Sequence, residues 1–233
     1  MALRWILRLA AAWLLLTAGP VLLLRWLPPV TSSFMLQARL QALSAGDFRY
    51  RNQYRWTPLA RISPQVQLAV IASEDQRFPF HDGFDLRSIR EAIEDHAEGD
   101  RLRGASTISQ QTAKNLFLWG GRSYLRKALE AWFTVLMEHL WPKRRILEMY
   151  LNLAQFGGGV YGVGAAAPRY FHRTAAELSA GQAALLAAVL PNPVRLRVDR
   201  PSAYVLSRRD FIMGQMHDLG GTAYLRNLAH GRP

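Results

Sequence analysis

Ala72-Ser73-Glu74-Asp75-Gln76-Arg77-Phe78-Pro79-Phe80-His81-Asp82-Gly83-Phe84-Asp85 brings two adjacent carboxylates, a histidine and three phenylalanines to the end of an apolar segment. Ser63 can cap a helix with Pro64 at its first position, and Val66, Val70 and Glu74 then fall four residues apart on one face. Glu74 therefore continues a core-facing stripe, where partial desolvation raises a carboxylate's pKa and suits it to proton transfer. Asp75, one residue further round, is placed to hold a partner or cap the turn. Taken alone, the pair is better explained by an acidic helix end solvated at a loop, so the decision rests on the rest of the chain.

Before this stretch, Arg4 and Arg8 precede an uncharged run from Leu9 to Leu24, flanked by Trp5 and Trp26 and closed by Pro28 and Pro29. The length suits a membrane span with interfacial tryptophans, and Arg8 can snorkel. A cleaved signal peptide is the rival, but the apolar run continues past the only small-residue cleavage point. The basic start predicts a cytoplasmic N-terminus with the rest of the chain outside. We therefore divide the chain into an anchor at 1–29, a connector at 30–61 with a short helix from Phe34 to Leu43, and one domain at 62–233.

The domain reads as helical: Leu86, Ile89 and Ile93 in one segment, Leu125, Leu129, Trp132, Leu136 and Leu140 in a longer one, then Ile146, Leu147, Tyr150 and Leu151. An alanine-rich helix spans Leu178 to Leu190, and a last helix runs from Pro201 to about Leu219. The glycine-rich run Gly157 to Gly164 lacks the lysine of a phosphate-binding loop and is expected to be a tight loop near a cleft. A net charge of +12 calls for an anionic partner without choosing among nucleic acid, lipid and phosphate. The absence of cysteine excludes thiolate zinc sites and disulfides.

Three further constellations carry chemistry. On a helix capped by Ser106, Thr107, Gln111 and Lys114 would share a polar face suited to sugar hydroxyls and phosphate. Arg126 and Lys127 lie four and three residues before Glu130, so their side chains can converge. Lys143-Arg144-Arg145 opens a helix that ends near Asn152, and cations at a helix N-terminus suggest a bound anion or acidic headgroups.

In this order the motifs resemble the peptidoglycan glycosyltransferases of family 51, and among them the single-domain, membrane-anchored, monofunctional enzymes. The resemblance rests on Glu74 to Gly83, Gly104 to Asn115, Arg126 to Glu130, Lys143 to Asn152 and Tyr161-Gly162 through Tyr170-Phe171, and covers nearly everything after the anchor. It implies a mainly α, lysozyme-like helical domain with a small membrane-proximal lobe. The implied activity is polymerisation of lipid II with inversion and release of undecaprenyl pyrophosphate, at the outer face of the bacterial cytoplasmic membrane. Glu74 would be the base for the acceptor 4-hydroxyl, Glu130 a second catalytic carboxylate near the pyrophosphate, and Lys114, Arg126 and Lys127 its cations.

The resemblance further implies substrate-binding positions at Asp75, Phe78, His81, Thr107, Gln111 and Asn152. No cofactor is required for the chemistry, with a divalent metal, magnesium or manganese, as an optional helper. The expected partners are lipid II, the growing glycan strand, membrane lipid and cell-wall synthesis or division proteins, and no nucleic acid. Ala105, Ser109, His172-Arg173 and Gln182 depart from the family pattern. A lytic enzyme of the same fold would have no use for the cations. A basic membrane-tethered binding protein would not need Glu74.

Overall fold

The computed structural model describes residues 1–87, 90, 106–121 and 123–230, so Ala105, Gly104 and most of the segment expected around Ile89 and Ile93 lie outside the described residues. The core is built on α3 (Pro64–Glu74). Ser63 accepts from Gln65 N and donates to Leu178 O, Pro64 opens the first turn, and every residue from Val66 to Ala72 is buried. Against it pack α8 (Ala180–Val189) and α9 (Ala203–Asp218), which also pack on each other. Buried Ala183, Ala184, Ala187 and Ala188 give α8 the slim surface that close helix contact needs. Ser179 and Gln182 form a capping box at its start, which explains glutamine there: the amide oxygen accepts from Ser179 N.

The second layer is α4 (Ile108–Phe117), α5 (Tyr124–Leu140) and α6 (Lys143–Leu153), with α4 in contact with both others. α4 is capped by Thr107 rather than the expected Ser106, through a capping box with Gln110. Before these helices, α2 (Ser33–Ser44) rests on α4, and β1 (Gln53–Tyr54) pairs parallel with β3 (Val160–Tyr161). β2 (Gln155–Gly157) pairs antiparallel with β3 across a bulge. The glycine-rich run is thus not an isolated loop but the turn of a three-stranded sheet leading into α7 (Val163–Phe171), and residues 30–61 are woven into the same body. Gly162 cannot be replaced cheaply: its φ is 77° and a Cβ would meet Asn152 O at 2.5 Å.

α5 reverses the reading of its pattern. Its inward residues are Glu130, Thr134, Met137 and Glu138, whereas Leu125 and Val135 are exposed and Leu129, Trp132 and Leu136 only half-buried. The apolar stripe turns outward because α1 (Ala2–Leu24) lies along it, with Trp13 and Trp132 rings 6.4 Å apart. α1 is one helix long and apolar enough to cross a membrane. The carbonyls at and just beyond its C-terminus are held by side chains: Trp141 Nε1 donates to Val21 O at 2.7 Å, and Arg145 donates to Leu24 O and Leu27 O at 2.8 and 2.7 Å.

Candidate active site

Glu74 is the last residue of α3, and the chain turns away at Asp75. Four buried groups hold that turn. The Asp75 carboxylate accepts from Ile108 N at 3.0 Å, at the N-terminus of α4, where an unpaired N–H and the helix dipole both favour an anion. It also contacts His81 Nε2 at 2.9 Å, while His81 Nδ1 accepts from Gly83 N at 3.1 Å. Since Nδ1 accepts, the proton of the ring sits on Nε2 and points at Asp75. Thr107 Oγ1 donates to Gly83 O at 2.7 Å, closing the knot, and Gly83 lies against Thr134 where a Cβ would come within 2.6 Å. Phe78 is fully buried beneath. Asp75, Phe78, His81 and Thr107 therefore come together, but as the support under Glu74, with their side chains committed to the protein interior.

The Glu74 carboxylate is 13% exposed and faces two other elements. Gln111 Nε2 on α4 donates to Oε2 at 3.0 Å, and Arg208 on α9 approaches Oε1 at 3.7 Å. Burial pushes its pKa up and neighbouring Asp75 adds to that, while Gln111, Arg208 and Lys114 pull the other way. The result is a carboxyl group that holds a proton more readily than a solvated glutamate. Arg208 escaped the sequence reading because nothing local distinguishes it from Arg209 beside it; only the packing of α9 on α3 brings it to Glu74. Its Nε is buried without a hydrogen-bond partner among the described residues.

Across from this, α4 and α5 assemble the cations. Arg126 NH1 and Lys127 Nζ bind the two oxygens of buried Glu130 at 2.6 and 2.5 Å, so the three residues converge as the spacing predicts. Arg126 Nε has no partner among the described residues. Lys114 stands one helix away, its Nζ 5.8 Å from the centre of the Phe34 ring and within 4 Å of no carboxylate among the described residues. Burial lowers its pKa, Arg126 and Lys127 lower it further, and Glu130 and Glu74 oppose this. Three cations and one carboxylate leave this corner with an excess of two positive charges.

The remaining expectations are placed elsewhere. Lys143 is buried, paired with Glu138 at 2.8 Å and donating to His81 O at 2.5 Å; Ser109 Oγ donates to the same Glu138 oxygen. Arg145 pairs with Glu148 and holds the end of α1. The basic start of α6 is thus mostly internal wiring, with Arg144 alone exposed. Asn152 is fully buried: Thr57 N donates to its Oδ1 at 2.7 Å and its Nδ2 donates to Thr57 O and Glu148 O. Its amide is saturated by backbone, tying the segment after β1 to α6, and offers nothing to a ligand. No group of three His, Asp or Glu residues that could hold a metal occurs among the described residues, and Glu130 is already taken by two cations. Among the described residues, no free donor set is assembled for a metal ion.

Residues 41–217 match the family model described as transglycosylase. The chain is 52% identical over 224 residues to the biosynthetic peptidoglycan transglycosylase of Klebsiella oxytoca, covering 96% of this chain and 93% of that protein. It is 50% identical to the proteins of the same name from Shigella boydii serotype 4, over 96% and 93% of the two chains, and from Xanthomonas euvesicatoria pv. vesicatoria, over 96% and 91%.

Proposed function

This chain belongs to the transglycosylase family and is a peptidoglycan glycosyltransferase that polymerises glycan strands from lipid II, and from that membership we propose that Glu74 is the general base and the Lys114, Arg126, Lys127 and Glu130 corner the pyrophosphate site. The observation that carries the reading is the pairing of a largely buried carboxyl, biased toward holding a proton, with a corner of excess positive charge across α4.

The acceptor's 4-hydroxyl attacks the anomeric carbon of the growing strand as Glu74 takes its proton; the new C–O bond forms as the C–O bond to the pyrophosphate breaks, with inversion. The leaving group carries away the electron pair, and Lys114 with Arg126 and Lys127 stabilises the charge that builds on its oxygens. Glu130 keeps the two α5 cations at fixed positions, so they need not reorganise as that charge develops. Every positive charge in this scheme comes from the protein's own side chains.

The same reading sets the chain in the inner membrane with Arg4 and Arg8 on the cytoplasmic side and the domain facing the periplasm. There it meets lipid II, the nascent strand and the other proteins of wall synthesis. The test is polymerisation of labelled lipid II by the detergent-solubilised full chain beside Glu74→Gln. Strand synthesis should fall by about 10²- to 10⁴-fold, the loss expected for a missing general base. Near-normal synthesis would remove Glu74 from the chemistry.

A further inference from the structure

Tyr150 lies on α6, fully buried, and belongs to none of the groups that the proposed reaction uses. Its hydroxyl donates to Gln111 Oε1 at 3.2 Å. Gln111 in turn donates from Nε2 to Glu74 Oε2 at 3.0 Å and to Ser106 O at 3.4 Å. We propose that Tyr150 is a positioning residue: its hydroxyl locks the Gln111 carboxamide with the NH2 toward Glu74, and so keeps the base ionised and aimed. This rests on the reading of Glu74 as the base.

The donor and acceptor chemistry allows one orientation. A carboxylate only accepts, as does the Ser106 carbonyl, so both call for the nitrogen end of the amide. The oxygen end then faces α6, where the phenol supplies a proton. A flipped carboxamide would set its oxygen against two acceptors at once. The phenol is a dependable donor at any working pH, since burial and the charges of Glu74 and Asp75 drive its ionisation far up. Its ring is wedged among core side chains and cannot swing away.

The charges facing Glu74 come from every element around it: Asp75 beside it, Lys114 on α4 and Arg208 on α9, with Gln111 the neutral donor. Burial outweighs them, and among the opposing influences the Gln111 hydrogen bond is the largest. Removing the lock therefore lets the pKa of Glu74 climb. In a pH profile of kcat/KM the acid limb, where the base is protonated, should move to higher pH.

The experiment measures that profile for the full chain in detergent with labelled lipid II, for wild type, Tyr150→Phe, Gln111→Ala, the double variant and Glu74→Gln. Tyr150→Phe should move the acid limb to higher pH by several tenths to about one on the pH scale, the size of one net hydrogen bond. KM and the plateau rate at high pH should stay within a few-fold. Gln111→Ala should move the limb at least as far, and the double variant no further than Gln111→Ala, because Tyr150 acts through the amide. An unmoved limb in Tyr150→Phe, a loss that is equal at all pH values, or displacements that add in full would overturn the assignment. If Tyr150→Phe does not fold, a fluorinated tyrosine at 150 keeps the shape and is a stronger donor; it should move the limb down, and no movement overturns the proposal. Glu74→Gln separates the two failures: if it stays active, the base is misassigned, whereas an inactive Glu74→Gln beside an unmoved Tyr150→Phe limb removes only the lock.

Discussion

Replacing Lys114 by methionine keeps the length and apolar stem of the side chain and removes one charge, which isolates what that charge does. In the structure Arg126 and Lys127 are each engaged with Glu130, while Lys114 has no carboxylate within 4 Å among the described residues. Its charge is the most available to a ligand. A phosphate oxygen about 4 Å from Nζ would gain roughly 4 kcal/mol at an effective dielectric of about 20 and about 1 kcal/mol in bulk water. Lys114 is half-buried, so a value of about 2 to 3 kcal/mol is expected. At about 1.4 kcal/mol per decade this is a fall of about 30- to 150-fold in kcat/KM. Because charge on the leaving oxygen grows toward the transition state, kcat should bear part of the loss. The assay is initial-rate strand synthesis from labelled lipid II, with inorganic pyrophosphate as competitor to read the ground-state share. Lys114→Arg should recover part of the rate. The fold should not suffer, since a desolvated cation is being removed. A Lys114→Met enzyme within two-fold of wild type, with unchanged inhibition by pyrophosphate, would refute the assignment of this corner to the leaving group.

Glu74→Gln should raise stability while it slows turnover. The folded-state pKa of Glu74 lies above its unfolded value, so its penalty is absent below about pH 4.5 and complete only above the folded pKa. Melting should thus show a gain at pH 7 to 8 that fades toward pH 4, the gain amounting to about 1.4 kcal/mol for every tenfold by which folding weakens the acid; an equal gain at both ends would contradict the burial argument. Glu130→Gln takes the corner from three cations and one carboxylate to three cations alone, a change from +2 to +3, so pyrophosphate should bind more tightly while kcat falls. Unchanged pyrophosphate affinity would argue that the corner binds something else. Deleting residues through Leu27 removes the partners of Trp141 and Arg145 and opens those donors to solvent, so stability should fall by about 0.5 to 1.5 kcal/mol for each net hydrogen bond lost. Its rate should also drop more on lipid-embedded substrate than on a short-chain soluble analogue; equal drops would assign the loss to folding alone.

The local signals were legible where a residue's role is set by its own helix. Ser63 and Pro64 announce α3, the four-residue stripe carries Glu74 to its end, and the spacing of Arg126, Lys127 and Glu130 foretells their convergence. What could not be read locally depends on partners far along the chain. The apolar stripe of α5 looks like a core face until α1 is seen to cover part of it, which leaves Glu130 and Glu138 inside. Asn152 looks like a ligand for substrate and Lys143 like part of a site for an anion or acidic headgroups, but they satisfy Thr57, Glu138 and His81 instead. Arg208 and Tyr150 gave no signal, since an arginine on a surface helix and a tyrosine on an apolar stripe are ordinary.

The grip of Trp141 and Arg145 on the end of α1 has a consequence for how the enzyme meets its substrate. A leash of flexible residues would let the domain tumble above the bilayer and present its cleft at any tilt. Here Trp13 beside Trp132 and Val21 beside Trp141 make α1 and α5 run side by side in the same sense, like two struts of one frame. The pitch of the anchor is then the pitch of the cleft. Bilayer thickness, which sets how far a helix of this length leans, becomes a mechanical input to the distance between Glu74 and the lipid surface. A single residue inserted between Pro20 and Leu24 would turn the struts against each other by about 100°, leaving the reacting groups intact but pointing them away from the plane in which lipid II diffuses.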